Sequence, residues 1–288
     1  MDQFEFESVF EKISGEYYNL TAAEKKVADF VQSHQGRTQH LSISQLAEES
    51  QVAEATVSRF CRRLGYKGYN AFRLAVANTT AGRLQPMNPL SGEVLDEDSF
   101  TDVCSKIFSA NTSAMAQTMN LARQEDYSAA ADILEKAEKV LCMGQGGSMI
   151  LAEEAAHLFS TIFGNYYAVS GAHTQMMYAV NASEKDALIF FSYSGATKDM
   201  MDTLSEAKKS GAKVILITHF PNSPGAALAD VVLLCGADES PLQLGSVGAR
   251  IAQLYLLDLL FSEVCRRKIN EARERRTRLA QAMENKYL

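Results

Sequence analysis

Several common protein classes are excluded by what this chain lacks. Nowhere in its 288 residues is there a run near the ~20 consecutive apolar residues that a membrane-crossing helix requires. Hydrophobic residues nevertheless make up 47% of the chain, ample for packed cores. The opening stretch, MDQFEFESVFEK, is acidic and has neither a basic leader nor an apolar run, so no secretion signal is expected. Cysteine is sparse: Cys61, Cys104, Cys142, Cys235 and Cys265 are an odd number, far apart, with no CxxC pair. That pattern suggests neither a disulfide framework nor a zinc site, and it fits a reduced, cytoplasmic protein. The five histidines show no metal-ligand spacing; His173 and His219 fall near expected strand ends and are candidates for pocket contact only. No internal repeat is evident, and no GxxxxGK[ST] motif for nucleotide phosphates occurs.

Positive charge is also scarce overall. The net charge of −7 argues against nucleic acid, but its distribution matters more than its total. Residues 54–73 carry Arg59, Arg62, Arg63, Lys67 and Arg73 against Glu54 alone. A local excess of this kind is either a footprint for phosphate or a solvated helix face.

Residues 1–78 have helical periodicity and almost no strand signal. Thr21-Ala-Ala-Glu24 is a capping box that opens a helix to about Ser33, with Val27, Ala28, Phe30 and Val31 on its apolar face. Ser42 or Ser44 opens a second helix, and 50-SQVAEAT-56 interrupts it. A third runs from about Glu54 to Leu64, with Val57, Phe60, Cys61 and Leu64 inward, and Gly65 stops it. Tyr69 to about Asn78 forms a last short helix. The two helices around 50–56 have helix-turn-helix form. Ala47 is small where they cross, and Val52 plugs the turn. Glu54, Ala55, Thr56, Ser58, Arg59, Arg62 and Arg63 are left facing outward, with Lys67 beyond. The first turns of such a helix read base edges, and its arginines reach guanine or phosphate.

Residues 79–100 hold two prolines, two glycines and an acidic patch, the composition of a linker. A helix follows over 101–124, with Val103, Ile107, Ala110, Ala114 and Met115 along one side. From about 125 to 270 apolar strands alternate with helices, at 138–144, 166–170, 186–191, 213–218 and 230–235. That alternation predicts a parallel sheet covered on both faces. The residues from 271 to 288 mix both charge signs and predict a solvated helical tail.

Two strands of this region empty into unusual loops, 144-GQGGS-148 and 192-SYSGAT-197. Ligands of open parallel sheets bind beyond the carboxyl ends of the strands. Each loop is expected there, at a helix amino end that favours an anion. Small hydroxyls donate to phosphate oxygens without bulk, and glycines let the backbone come close. A dinucleotide site fits poorly, because Met149 occupies the third glycine position of GxGxxG and 166-YYAVSGAHTQ-175 has no acidic residue.

The pattern S-x-S-G-x-T after an apolar strand, with G-x-G-x-S upstream, resembles the sugar isomerase (SIS) domain over about residues 125–270. The resemblance implies a doubly wound, flavodoxin-like α/β domain and a phosphorylated sugar ligand at Gly146, Ser148, Ser192, Ser194 and Thr197. LTAAEKKVADF (20–30) and ISQLAEESQVAEATVSRFCRRLGYKGYNAFR (43–73) resemble the N-terminal domain of RpiR-type bacterial transcriptional regulators. That family places an all-α helix-turn-helix domain before a SIS domain, in this order and at about this length. What it implies is a DNA-binding regulator of carbohydrate metabolism: partners are double-stranded operator DNA and a phosphosugar, assembly is a homodimer or homotetramer, and neither catalysis nor a cofactor is needed. The rival is a phosphosugar isomerase with a helical N-terminal extension, for which Glu153 or Glu154 would have to supply a base.

Overall fold

A computed structural model of the chain describes residues 8–39, 41–80, 94, 97–236 and 247–284. Two compact units result, the first ending at Ala110 and the second beginning at Asn111. Most of the expected linker, residues 81–93, lies outside the described residues, as does the end of the expected tail, 285–288.

Six α-helices lie wholly within the first unit among its described residues: α1 (Val9–Glu16), α2 (Ala22–Ser33), α3 (Gln35–Thr38), α4 (Ile43–Glu49), α5 (Glu54–Arg63) and α6 (Tyr69–Thr80). Three of them begin with a reciprocal capping box: Ser8 with Glu11, Thr21 with Glu24, and Ser42 with Gln45. Each box satisfies two backbone N–H groups that the helix start leaves unpaired. Ser42, rather than Ser44, opens α4. The turn into α5 passes through Gln51, whose φ of 53° is the left-handed conformation that non-glycine residues seldom adopt. Val57, Phe60, Cys61 and Leu64 of the α5 segment pack with Val27, Ala28 and Val31 of α2 and Leu46 of α4, and Phe72 of α6 closes the core.

Across the division runs α7 (Phe100–Leu121). It buries Ala114 and Thr118, not the whole expected row from Val103 to Met115; Ile107 and Ala110 are exposed. One turn is fixed because the Thr118 hydroxyl donates to Ala114 O at 2.8 Å and accepts from Gly236 N at 3.0 Å.

The second unit continues with α8 (Gln124–Lys136), β1 (Lys139–Gly144), α9 (Gly147–Ser160), β2 (Tyr166–Ala168), α10 (Ala172–Val180), β3 (Asp186–Phe191) and α11 (Lys198–Lys209). After these come β4 (Lys213–Thr218), β5 (Val231–Leu234), α12 (Val247–Arg267) and α13 (Ile269–Met283). All five strands are parallel, in the order β2-β1-β3-β4-β5. That is the flavodoxin-like doubly wound order, whose switch point lies between β1 and β3. Alternate residues serve opposite faces. Val140, Cys142, Ile189, Phe191, Ile215 and Ile217 pack under α8, α9 and α12. Leu141, Met143, Leu188, Phe190, Val214 and Leu216 face the other way, with Ala179 of α10 and Leu204 of α11. β2 is shorter than the expected 166–170: it is an edge strand, and its pairing with β1 ends at Ala168. No helix among the described residues is long and apolar enough to cross a membrane.

Candidate functional site

At the switch point the chain leaves β1 and β3 side by side, with Gly144 in register with Phe191. Helix α9 then starts so close to β1 that a Cβ on Gly144 would stand 2.5 Å from Ser148 O, closer than real contacts allow. Gly146 caps α9 at φ 54°, ψ −125° and supplies no side-chain cap. Ser148, in the first turn, is half-buried.

A chain of neutral hydrogen bonds shapes the second loop. Ser192 is buried; its backbone N–H donates to Ile217 O at 3.0 Å, and its Oγ accepts from Gly195 N at 3.2 Å. Gly195 has φ 58°, and a Cβ there would lie 2.1 Å from Ser223 Oγ and 2.9 Å from Thr218 Oγ1. Its carbonyl accepts from Gly225 N at 2.8 Å. Ser194 Oγ accepts from Ala196 N at 3.4 Å. Thr197 is the exposed N-cap of α11, and its side chain makes no capping bond. Two helix amino ends, each with N–H groups the helix does not satisfy, thus follow glycine- and hydroxyl-rich turns on either side of one crevice.

Tyr193 stacks on His219, with ring centroids 5.0 Å apart and planes 6° from parallel. His219 Nδ1 lies 2.9 Å from Cys235 O, so this histidine is built into the loop packing. His173, in the first turn of α10, is exposed. Glu153 and Glu154 are exposed on α9 as surface charge. Among the described residues no cluster of His, Cys, Asp and Glu could hold a metal ion. A cleft of about 340 Å³ lies at the amino ends of β1 and β2, lined among others by Glu135, Asn165, Lys268 and Arg275. That is the wrong end of an open sheet for a ligand. Its cations are also engaged, Arg275 with Glu271 at 2.8 Å and Lys268 over the Phe163 ring.

In the first unit, α4 and α5 form the helix-turn-helix pair. Glu54, Ala55, Arg59, Arg62 and Lys67 are exposed, and Ser58 is half-buried. Two expected surface residues are not free. Thr56 is buried at 6% exposure, because helical spacing sets it one turn before Phe60, on the core side of α5. Its hydroxyl accepts from Arg59 Nη2 at 3.3 Å. Arg63 is turned back onto the body of the unit. Its Nη1 donates to Asn19 O at 2.6 Å, and its Nε lies 3.4 Å from the carboxylate of buried Glu24. The glutamate that caps α2 therefore also anchors the last turn of α5.

Comparison with known proteins agrees with both halves. The family model described as helix-turn-helix domain, rpiR family, matches residues 7–83, and the SIS domain model matches residues 133–263. An HTH-type transcriptional regulator of Haemophilus influenzae is 32% identical over 256 residues, covering 88% of this chain and 89% of the relative. The regulator RpiR of Escherichia coli K12 is 31% identical over 231 residues, covering 80% and 77%. The chain belongs to the RpiR family of HTH-type transcriptional regulators. Among solved structures, Vibrio vulnificus NanR complexed with ManNAc-6P shares the fold at TM-score 0.64 and 23% identity, over 97% of this chain and 99% of that one. The sugar isomerase domain of an RpiR transcription factor from Sphaerobacter thermophilus matches at TM-score 0.55 and 22% identity, over 64% and 98%.

For an RpiR-family chain, the notable residues are those that neither loop motif contains. Arg250 stands in the first turn of α12, and its Nη1 is 3.9 Å from the position a Cβ on Gly147 would take. A cation is thus set beside the amino end of α9, although neither loop has a lysine. Its one sequence signal was an arginine in a first helical turn, where the helix dipole favours acids. Gln175, Thr218 and Ser223 also build the crevice from distant parts of the chain. No local motif announces them.

Proposed function

We propose that this RpiR-family regulator binds operator DNA through α5 and a phosphorylated sugar in the crevice after β1 and β3, and that occupancy of the crevice alters operator affinity. The carrying observation is the convergence of two helix amino ends, two hydroxyl loops and Arg250 on one switch point. A phosphoryl group suits this place: helix amino ends and a guanidinium favour its charge, and hydroxyls complete its coordination. NanR, a protein of the same fold, is complexed with ManNAc-6P, and this supports the ligand class. Ser148, Ser194 and Thr197 serve as hydroxyl donors, Gly146 gives close backbone approach, and Ser192 holds the turn. Arg250 supplies the positive charge.

On the DNA side, Glu54, Ala55 and Ser58 face the base edges while Arg59, Arg62 and Lys67 contact bases or phosphates. Thr56 and Arg63 belong to the framework. Residues 1–78 are the reading head, 79–100 the linker and 101–124 the connecting helix. Residues 125–270 are the sensor and 271–288 a helical tail. The protein acts as a homodimer or homotetramer, since helix-turn-helix heads read two half-sites about 34 Å apart. It binds the sugar without turning it over.

The test is operator titration with and without saturating phosphosugar. An effector acts only through unequal affinity for two states, and coupling of about 1–3 kcal/mol corresponds to a 5- to 150-fold change. Operator should change phosphosugar affinity by the same factor. Identical operator affinities, with sugar binding confirmed, would overturn the sensor assignment.

A further inference from the structure

Gln175 is a fully enclosed polar side chain beside the crevice, at 0% exposure. Its Nε2 donates to Gly144 O at 2.9 Å and to Val169 O at 2.8 Å. Both amide protons are thus committed to backbone carbonyls at the ends of β1 and β2. That fixes which way round the carboxamide sits, since a flipped amide would set its oxygen against two carbonyl oxygens. The remaining atom, Oε1, accepts from Gln145 Nε2 at 2.7 Å. Gln145 must therefore present its NH₂ to Gln175, and its own carbonyl Oε1 becomes the end left for another partner. The polarity of a loop residue is dictated from inside the fold.

This matters because of what surrounds Gln145. It lies within 144-GQGGS-148, just before Gly146, the cap of α9, and two residues before Gly147, which Arg250 approaches. The other groups offered to a ligand there can all donate: helix N–H groups, a guanidinium, and hydroxyls, which are able to accept as well. An acceptor held in such a place repels a phosphate oxygen and welcomes a hydroxyl. Resting on the phosphosugar reading of the crevice, we propose that Gln145 reads a sugar hydroxyl and that Gln175 is the positioning residue that fixes its polarity. Gln145 then discriminates phosphosugar from bare phosphate, while the donors hold the phosphoryl group that both ligands share.

The experiment measures, by calorimetry on the full chain, the affinities of inorganic phosphate and of the tightest binder in a panel of aldose and ketose phosphates that includes ManNAc-6P. Gln145→Met keeps the length and removes both polar ends. It should weaken the sugar phosphate about five- to tenfold, the loss of one hydrogen bond, and leave inorganic phosphate within about twofold. Gln175→Met should lower the same ratio by acting through Gln145, so the double variant should lose no more than either single one. Ser194→Ala is the control for the site itself and should weaken both ligands. A wild-type ratio in Gln145→Met, with Ser194→Ala weakening both, overturns the inference and leaves the site standing. If Ser194→Ala changes neither ligand, the site reading fails and this inference falls with it. A Gln175→Met chain that only loses thermal stability, at an unchanged ratio, overturns the positioning role; should that variant not fold, the Gln145→Met ratio decides alone.

Discussion

Helix α5 and the crevice after β3 both keep side chains out of the core, and they do so by opposite means. On α5 the exposed residues Arg59 and Arg62 are held by little besides the helix, and Lys67 is exposed just beyond it. Val57, Phe60, Cys61 and Leu64 carry the packing on the other side. In the crevice almost every small group is fixed by a neighbour: Ser192 by Gly195, Gly195 by Gly225, and Gln145 by Gln175. One surface offers long-range charge that adapts to its partner, the other a preformed cradle whose ordering cost is met before a ligand arrives. Substitutions should therefore separate binding from stability on α5, and join them in the crevice where they strike the groups that hold its turns.

The largest expected effect is at Gly195. Gly195→Ala forces a Cβ to 2.1 Å from Ser223 Oγ, at a φ of 58°. The left-handed backbone costs about 1–2 kcal/mol with a side chain, and overpacking typically about 1–3 more. Urea unfolding should show a stability loss on the order of 2–5 kcal/mol, and the phosphosugar should no longer bind. Normal ligand affinity in Gly195→Ala would mean that the turn is not part of the cradle. The contrasting substitution, Arg62→Ala, should leave the unfolding midpoint unchanged.

Next come the hydroxyls. Ser194→Ala and Thr197→Ala each remove a donor to a charged acceptor, worth about 1.5–3 kcal/mol of phosphosugar affinity. The Thr197 side chain makes no capping bond to α11, so in Thr197→Ala fold stability should move by less than about 0.5 kcal/mol. A stability loss as large as the affinity loss would blur the distinction between cradle and contact.

On α5, Arg59→Ala and Arg62→Ala should each cost about 1–3 kcal/mol of operator binding if they meet bases, with relaxed preference at one position. If they meet phosphates, binding weakens on every sequence, and the salt dependence flattens by about 0.9 for each phosphate left without its arginine. Wild-type affinity in the double variant would remove α5 as the reading element.

The same contrast explains how far the sequence could be read. Strands β3 and β4 were legible to the residue, because continuous runs such as DALIFF and KVILIT occur only where both faces are covered. The loops were legible because hydroxyls and glycines cluster where a strand ends. The helix-turn-helix was legible as a helical hairpin from spacing and as a reading element through the family resemblance, though periodicity did not single out α1 or α3. Illegible were the partners contributed by distant segments. Arg250 lies about a hundred residues from the loop it approaches, and Gln175 looks like any polar residue in a short helix. Thr56 and Arg63 differ from expectation for one reason: composition marks a residue as polar, but only packing shows which way it turns.

Arg63 gives the smallest effect and the sharpest test of that boundary. It belongs to the cationic cluster by sequence and to the framework by geometry, tied to Asn19 O and to Glu24. Burial pushes the Glu24 carboxyl up. Hydrogen bonds from Thr21 and the positive fields of Arg63 and Arg59 outweigh it and hold the group below the ordinary glutamate range. A carboxyl depressed in the folded state adds stability above its unfolded pKa, about 4.3, and that stability is lost as pH falls through the folded value. Arg63→Ala removes part of the depression. The arginine is 41% exposed, so the loss at pH 7 should be only about 1 kcal/mol after solvent screening. That difference between wild type and variant should shrink as pH falls from about 4.3 through the depressed folded value, below which Glu24 is neutral in both. Urea unfolding from pH 3 to 7 measures it, and a difference constant with pH would leave only the bond to Asn19 O. Operator affinity of the folded variant supplies the second readout: it should match wild type, whereas a loss equal to that of Arg59→Ala would return Arg63 to the reading surface.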